Sequence, residues 1–291
     1  MASFNRIGLV ARVASDQVRD SLITVEQFLL SNGVEIFVEQ VSAAALGGDN
    51  RAISSLEEMG ASCDLLIAVG GDGNILSTAR VMAPFGVPIL GINRGKLGFL
   101  ADVSPDEIEA RLGEVLSGDY TTEEHFLLEG EVEGHDEVPC ALNEILIHSV
   151  NMPKMIEVEL YVNDQFVYTL NSDGLIVSSP TGSTAYALSA GGPIMHPSLD
   201  AIVLVPMFPH SLNNRPLVVP GGDEIRIVIG SDTQMKAKVS FDSHLEFQIE
   251  PGDSLLIRKK PEHLVLVHPP GHSFYGACKS KLDWASRNTN H

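Results

Sequence analysis

A chain of 291 residues is long enough for two domains that each bury a core. Its 38 acidic residues outnumber its 19 Lys and Arg, which leaves a formal net charge of −19 and argues against nucleic acid or an anionic membrane as a partner. The 3 cysteines lie far apart without metal-ligand spacing, which favours free thiols in a reducing compartment. Because the sequence shows neither a signal peptide nor an apolar run long enough to cross a membrane, we expect a soluble cytoplasmic protein.

The first hundred or so residues alternate short apolar runs with amphipathic stretches. This rhythm predicts a parallel, Rossmann-like α/β sheet, with strands at 6–11, 34–38, 65–69 and 87–91 and helices at 15–31 and 73–82. Ligands of such sheets bind at the carboxyl ends of the strands. The residues that directly follow 65–69 are therefore the first place to search for a site.

From residue 126 the pattern changes to strands with few helices, which predicts an all-β, sandwich-like second domain. The strands are expected at 126–132, 141–148, 155–162, 166–170, 175–178, 224–229, 235–241, 245–249, 254–258 and 264–267. Both periodicities break at 116–124. We therefore expect an α/β domain at 1–120, a β-rich domain at 121–270 and a tail at 271–291 that docks back on the first domain or is frayed.

The segment Ala68–Arg80 reads AVGGDGNILSTAR and begins at the end of a predicted strand. Gly70, Gly71 and Gly73 allow a ligand to approach the backbone closely. The loop ends at Asn74, and its backbone amides form a concavity suited to phosphate oxygens. Asp72 is a carboxylate at its mouth that can accept a proton or hold Mg²⁺, and either role serves phosphoryl transfer. The alternative is a tight strand-to-helix turn capped by Asp72 or Asn74. The segment lacks the ending of a P-loop and the spacing of a Rossmann fingerprint.

A second segment, 171–193, combines an acidic turn, a short strand and a Thr/Gly/Ser run that opens a helix. Thr181, Ser183 and Thr184 offer hydroxyls where free helix amides also point, a combination that suits ribose hydroxyls or a phosphate. Tyr186 follows and can stack on a purine. The alternative is a capped helix that joins two strands, with Tyr186 in the core.

Asn143 and Glu144 are adjacent polar residues in an apolar strand. Because neighbours in a strand face opposite sides, the two cannot both point outward unless the strand bends or ends there. We expect one of them to meet a ligand or a domain interface.

Two further stretches add basic groups to this acidic chain. Arg94 and Lys96 follow the predicted strand 87–91 and either steady phosphates or form ordinary solvated surface. His210 and Arg215 lie in a predicted loop, where a single histidine is more often a hydrogen-bonding scaffold than a catalyst.

Taken together, these stretches resemble the NAD kinases. The motifs GGDGN at 70–74, NRGKLGFL at 93–100, NE at 143–144, SDGLIVSSPTGSTAYALSAGGP at 172–193 and PHSLNNRP at 209–216 stand in that family's order. The resemblance implies transfer of the γ-phosphoryl group of ATP to the 2′-hydroxyl of the adenosine ribose of NAD, with a divalent metal such as Mg²⁺. It also implies a site in the cleft between an α/β and a β-rich domain, and assembly into homodimers or homotetramers.

The resemblance also implies roles for single residues. Asp72 would be the general base, while Gly70, Gly71, Gly73, Asn74, Arg94 and Lys96 would form the phosphate and ATP loop. NAD would contact Gly73, Phe99, Asn143, Glu144, Asp173, Thr181, Thr184, Ala185 and Tyr186, with Asn143 and Glu144 on ribose and base and Asp173 near the nicotinamide. Asp242 matches a further acidic family position without a settled role, and no residue is assigned as a metal ligand.

Two other functions stay open at the level of sequence. A lipid kinase of the same superfamily shares the glycine loop, but it should show an apolar or basic membrane-facing surface. A non-catalytic NAD(P) sensor would not need a carboxylate beside phosphates. An oxidoreductase fits worst, since the dinucleotide fingerprint is missing.

The kinase interpretation has its own difficulty, because an ordinary Asp, with a pKa of ~4, is a weak base for a sugar hydroxyl unless burial raises its pKa.

Overall fold

The computed structural model describes residues 4–12, 15–47, 52–94, 98–150, 155–211, 213–231 and 236–284. The chain forms two compact units, an α/β unit of Met1–Glu124 with Leu264–His291 and a β unit of His125–His263. The carboxyl-terminal residues thus belong to the α/β unit from Leu264 onward, whereas the sequence placed 264–270 in the β-rich domain. No helix in the described ranges is long and apolar enough to cross a membrane.

The strands are β1 (Arg6–Val10), β2 (Glu35–Glu39), β3 (Ala52–Ser54), β4 (Leu65–Gly70), β5 (Ile89–Asn93), β6 (Thr121–Val132), β7 (Cys140–Ala141), β8 (Glu144–Ser149), β9 (Ile156–Val162), β10 (Gln165–Ser172), β11 (Gly174–Ser178), β12 (Ala201–Met207), β13 (Leu217–Pro220), β14 (Ile225–Ile229), β15 (Ala237–Phe241), β16 (Leu245–Ile249) and β17 (Ser254–His268). The helices are α1 (Asp16–Ser31), α2 (Gln40–Leu46), α3 (Leu56–Ser62), α4 (Asp72–Met82), α5 (Ile108–Ser117), α6 (Tyr186–Ser189) and α7 (Phe274–Lys281). Single 3₁₀ turns cover Ala83–Phe85, Pro105–Glu107 and Thr181–Thr184.

The α/β unit is built on a parallel sheet in the order β3-β2-β1-β4-β5, and the end of β17 adds beside β5 through the pair Leu266 and Ile89. The predicted α/β fold is confirmed. Helix α1 shows how the sequence produces it. Ser15 caps the helix by accepting the N–H of Val18, and the buried side chains of one face, Val18, Leu22, Val25 and Leu29, join the core beneath it.

The order of the strands reverses between β1 and β4, since β2 and β3 lie on one side and β5 on the other. Such a reversal opens a crevice outside the carboxyl ends of the two central strands, where ligands of open α/β sheets bind. The glycine loop lies at this place, because β4 ends at Gly70 and α4 begins at Asp72. The fold thus brings the first candidate motif to the edge where the sequence predicted a site.

The β unit contains two antiparallel sheets. One has the order β10-β9-β14-β17 and the other β13-β12-β11-β8-β15-β16. Side chains from both sheets, such as Ile147, Val158, Leu204 and Ile227, share one buried cluster. The predicted β sandwich is therefore confirmed.

The predicted strand 141–148 is wrong at its start. Residues Cys140–Ala141 pair with β6 in the first sheet, while β8 begins at Glu144 in the second. The chain changes sheets at Leu142 and Asn143, which is the bend that the sequence left open as one possibility for the two adjacent polar residues. The region 254–267, predicted as two strands, is one continuous strand, β17.

Candidate active site

Asp72 is held at the mouth of the glycine loop by three backbone donors from one segment. Its Oδ2 accepts the N–H of Phe99 at 2.6 Å, and its Oδ1 accepts the N–H groups of Leu100 and Ala101 at 3.2 and 3.3 Å. The alternative in which Asp72 or Asn74 caps α4 is wrong, because the N-cap is Gly71 and no side chain bonds to the first turn. The carboxylate is thus oriented by the chain that follows β5.

Burial raises the pKa of Asp72 above its usual value, although the three N–H donors and the charge of Lys281 oppose the shift. A raised pKa makes the carboxylate a stronger base than an ordinary Asp. This environment eases the difficulty noted for an Asp that must take a proton from a sugar hydroxyl.

The glycines of the loop serve different purposes. Gly70 has a φ of 154°, which only glycine adopts readily, and its carbonyl accepts the N–H of Arg94 at 2.9 Å. Gly73 is exposed, and a Cβ built on it would meet nothing within 4 Å. No neighbour among the described residues therefore requires a glycine there, and its bare backbone leaves room for a ligand.

Asn74 differs from its expected part in a phosphate loop. Its side chain is buried and donates to the carbonyls of Val10 and Val69 at 3.0 and 3.3 Å, and its backbone N–H donates to Gly71. Asn74 therefore fixes the loop to the ends of β1 and β4, and its own N–H groups are used inside the protein.

A cavity of about 600 Å³ lies within the α/β unit. Its lining includes the predicted residues Arg94 and Phe99. Arg94 is steadied by a bond from its Nε to Ser21 Oγ at 2.6 Å. Lys96, the other predicted cation, lies outside the described residues.

In the β unit, Asp242 organises the residues that the sequence singled out at 143 and 144. Its carboxylate accepts the N–H groups of Leu142, Asn143 and Glu144 at 2.9, 2.8 and 3.2 Å. Asp242 itself has a φ of 47° in the turn between β15 and β16. The Asp242 carboxylate thus holds the backbone at the start of β8.

Glu144 is buried with only 7% of its surface exposed, and its Oε2 has no hydrogen-bond partner in the described part of the chain. Burial and the nearby charge of Asp242 raise the pKa of Glu144 to about 8, against the lowering effect of the Tyr186 N–H. The half-buried side chain of Asn143 makes no hydrogen bond to any described residue. Both groups thus retain unused capacity for hydrogen bonds to a ligand.

The Thr/Gly/Ser run folds differently from the helix opening expected of it. It forms the 3₁₀ turn Thr181–Thr184, and α6 starts only at Tyr186. The hydroxyls of Thr181 and Ser183 are used internally, the first with His125 Nδ1 at 2.8 Å and the second as a donor to Pro180 at 2.6 Å. Both hydroxyls thus have partners inside the protein, and their contact with a ligand stays a prediction.

The rest of this run is more accessible. Thr184 and Ala185 are half-buried, although the Thr184 hydroxyl donates to the carbonyl of Thr181 at 3.2 Å. Tyr186 is 44% exposed, so its placement in the core is wrong and its ring is free to meet a ligand. Gly182 is required here, because a Cβ on it would lie 2.2 Å from the carbonyl oxygen of Asn143. This close approach brings the run against Asn143.

Asp173, His210 and Arg215 have less defined surroundings. Asp173 is half-buried and its backbone N–H donates to Met207 at 3.0 Å. His210 and Arg215 are exposed, and Arg215 donates to the neighbouring carbonyl of Asn214 at 2.9 Å.

Sequence reasoning missed two features of the α/β unit. Gly98 packs so closely on Asp72 that a Cβ would lie 2.4 Å from its Oδ1. Lys281, at the end of α7, lies with its Nζ 5.8 Å from the centroid of the Phe99 ring and lines the same cavity. A signal for the second was present, because Ser273 stands as a helix cap in the stretch that was read as a tail.

A third missed feature is a cluster of Asp102, His268 and His272. Asp102 Oδ2 lies 3.0 and 2.9 Å from the Nδ1 atoms of His268 and His272, whose rings stack at 3.6 Å. The ligand atoms of the three residues lie within 4.8 Å of one another, close enough for a metal ion, but the Nδ1 atoms of both histidines are already engaged with Asp102 Oδ2. We interpret the cluster as a carboxylate that accepts two imidazole N–H groups.

Comparison with known families agrees with both units. The family model described as the ATP-NAD kinase N-terminal domain matches residues 7–120, and that of the ATP-NAD kinase C-terminal domain matches residues 142–269. The chain is 49% identical to an NAD kinase of Teredinibacter turnerae over the full length of both proteins. It is 50% identical to an NAD kinase of Hahella chejuensis, with 98% of each chain covered.

Solved structures agree with the sequence relatives. A yeast NADH kinase complexed with NADH matches with a TM-score of 0.89 and 26% identity, over 100% of this chain and 91% of that one. An NAD kinase from Archaeoglobus fulgidus in complex with ATP matches with a TM-score of 0.71 and 28% identity, over 96% of each. The family models, the full-length relatives and the two-unit fold together establish that this chain is a kinase of the ATP-NAD kinase family.

Proposed function

We propose that the protein transfers the γ-phosphoryl group of ATP to the 2′-hydroxyl of the adenosine ribose of NAD and so forms NADP. The observation that carries the proposal is the environment of Asp72. A carboxylate of raised pKa is fixed by three N–H donors beside an open glycine backbone at the switch point of the sheet. A phosphate-binding loop needs no such carboxylate for binding alone, whereas transfer to a hydroxyl requires an acceptor for its proton.

In this mechanism the chain's main contribution is position. Asp72 accepts the proton of the attacking hydroxyl at its carboxylate, and its three N–H bonds keep it in place during transfer. The bare backbone at Gly73 leaves space for phosphates. In the β unit, Asn143 and Glu144 supply the unused hydrogen-bonding groups for ribose hydroxyls, and the exposed Tyr186 offers a face for a base.

The residues around the glycine loop are compatible with a divalent cation such as Mg²⁺. Mg²⁺ binds phosphates and keeps several waters, so it needs only one or two carboxylates from a protein. Asp72 is the carboxylate of the loop; its Oδ1 accepts two N–H bonds and its Oδ2 accepts one, so Oδ2 retains one lone-pair direction, which serves either the ion or the proton of the hydroxyl. When bound, the ion would neutralise charge on the transferred phosphoryl group.

The comparisons support NAD kinase activity rather than a lipid kinase or a non-catalytic sensor, since the curated relatives are named NAD kinases over the full length of the chain. The ATP and NADH held by the two structural neighbours are the donor and an acceptor of this reaction class. We further propose a cytoplasmic location, which fits three cysteines that form no disulfide, and a homodimer or homotetramer.

The test is NADP formation by purified protein given NAD, ATP and Mg²⁺, with NADH and a diacylglycerol as parallel acceptors. The proposal expects rapid NADP production and no phosphorylated lipid. Tight NAD binding without turnover would instead identify a sensor, and phosphorylation of the lipid alone would identify a lipid kinase.

A further inference from the structure

Lys281 is a half-buried cation that has no matching carboxylate among the described residues. It lies at the carboxyl end of α7 and lines the cavity of the α/β unit. Its Nζ makes no ion pair with any carboxylate in the described part of the chain, although the charges of Asp72 and Asp102 act on it from farther away. Burial lowers the pKa of this ammonium group, so its charge is kept at a cost in free energy.

The other cations of the cavity show which charges are available. Arg111 also lines it, but its guanidinium is already paired with Glu107 and Glu114 at 3.0 Å each. Arg94 makes one side-chain bond, through Nε to Ser21, which leaves its terminal nitrogens unused among the described residues. Among the described lining residues, Lys281 and Arg94 are therefore the cations that are available to an anion.

Contacts of both residues connect them to the glycine loop, where we propose that a phosphoryl group is transferred. The Arg94 N–H donates to the carbonyl of Gly70 in the glycine loop, and the Lys281 ammonium lies near the ring of Phe99, whose own N–H binds Asp72. A volume of about 600 Å³ falls within the range of small-molecule sites. In a chain with a net charge of −19, two cations that are unpaired among the described residues, one of which acts on Asp72 through its charge, have an evident use in attracting an anion.

The carboxyl-terminal segment is fixed so that Lys281 reaches this cavity. His268 and His272 both bond to Asp102, and the Arg111 guanidinium donates to the carbonyl of Pro270 at 3.4 Å. Ser273 then caps α7 by accepting the N–H of Gly276 at 3.2 Å. These contacts anchor the start of the helix whose last residue is Lys281.

We propose that Lys281, supported by Arg94, binds the phosphates of the nucleoside triphosphate donor, and that the carboxyl-terminal segment is therefore a working part of the donor site. This inference rests on the proposed kinase function for the identity of the ligand. Arg94 was already expected in the phosphate and ATP loop. Lys281 is absent from the site residues expected from the sequence.

The test measures ATP binding by titration calorimetry on the full-length protein without NAD, so that it does not depend on turnover. Lys281→Gln should weaken ATP binding by about tenfold to a hundredfold, the range of a lost charge-assisted hydrogen bond, and leave NAD binding unchanged. Lys281→Arg should recover much of the affinity. Lys279→Gln, at an exposed site in the last turn of the same helix, is the matched control and should bind ATP like the wild type.

The dependence of ATP affinity on ionic strength distinguishes a direct charge contact of Lys281 from a merely structural role. Wild-type affinity for ATP should fall more steeply with ionic strength than that of Lys281→Gln, because one charge pair is lost. Unchanged ATP affinity in a folded Lys281→Gln variant, or an equal loss of ATP and NAD affinity, would overturn the inference. Failure of the wild type to make NADP, with ATP binding that still depends on Lys281, would overturn the proposed function and leave this site in place.

Discussion

The backbone N–H of Phe99 donates to Asp72 Oδ2 over 2.6 Å, the shortest of the three bonds that hold this carboxylate. The bond joins the glycine loop after β4 to the segment after β5. Two motifs that are far apart in sequence thereby become one site, and the orientation of the candidate base depends on backbone atoms of the second motif.

Replacement of Asp72 by Asn tests the role of the carboxylate itself. The amide has nearly the same shape but cannot take a proton, so kcat should fall by about 10²- to 10⁴-fold while NAD affinity stays similar. Steady-state kinetics with a parallel NAD titration measure the two effects. Turnover within tenfold of the wild type would rule out both the base and an essential metal-binding role for this side chain.

Gly98→Ala tests the position of the carboxylate without a change to it. The new Cβ would lie 2.4 Å from Asp72 Oδ1 and 3.0 Å from its Cγ, so the carboxylate must move away from its N–H donors. A misplacement of this order costs about 10²-fold in rate. We expect kcat to fall accordingly, as measured by initial rates at saturating substrates.

Gly113→Ala is the matched control for this substitution. Gly113 lies inside α5, and a Cβ there would meet only Phe28 Cζ at an ordinary 3.7 Å. Alanine should raise stability by roughly 0.5–1 kcal/mol and leave kcat unchanged. Equal activity of Gly98→Ala and Gly113→Ala would contradict the positioning role.

The sequence was sufficient where a signal is local. Alternating apolar runs predicted the parallel sheet, and the adjacent Asn143 and Glu144 marked a place where a strand bends or ends if both side chains point outward, although the strand itself was predicted over 141–148. It was insufficient where partners are distant along the chain. Nothing local to Asp242 indicates that its carboxylate holds 142–144, and the inward turn of the Thr181 hydroxyl depends on His125, 56 residues away.

The place of Lys281 in the site also could not be predicted from local sequence. A tail rich in Ser, Asn, Lys and Gly has little hydrophobic periodicity, and α7 buries only Cys278 of its eight residues. Its place is set by contacts of His268 and His272 with Asp102, which lie 166 and 170 residues away. Tertiary contacts of this range leave no mark on local composition.

Glu144→Gln should stabilise the protein at neutral and higher pH. The folded-state pKa of Glu144 is raised to about 8 by burial and by Asp242, so ionisation favours the unfolded chain, and stability is lost as pH rises from about 4.5 to 8. The glutamine variant lacks this loss. Its gain should approach zero at pH 4.5 and reach about 3 kcal/mol, as an upper limit, at pH 7. Denaturant unfolding across this range measures the gain.

Glu246→Gln is the opposite control. Its exposed carboxylate pairs with Lys238 Nζ at 2.8 Å, and the hydrogen bond from this lysine lowers the pKa of Glu246. Loss of the charge should therefore leave stability unchanged or slightly reduced at neutral pH. A Glu144→Gln gain that does not grow with pH would show that Glu144 is not buried as a neutral acid.

Asp102 should make the α/β unit sensitive to acid. Burial alone would raise the pKa of Asp102, but the hydrogen bonds and charges of His268 and His272 outweigh it and lower the pKa to about 2. A carboxylate with a lowered folded-state pKa contributes stability above its unfolded pKa of ~4 and loses it as pH falls toward 2. The same conversion gives an upper limit of about 2.5 kcal/mol when the contribution is fully present, which solvent screening at the exposed Asp102 reduces. Asp102→Asn should therefore lower the unfolding free energy at pH 5 but have little effect near pH 2, with the exposed Asp106→Asn as a neutral control.

Because His268 and His272 anchor the segment that carries Lys281, the same variant should weaken ATP binding at pH 7 more than NAD binding. If the Asp102→Asn and Asp106→Asn variants lose stability equally as the pH falls, the Asp102 cluster does not contribute to the stability of this unit.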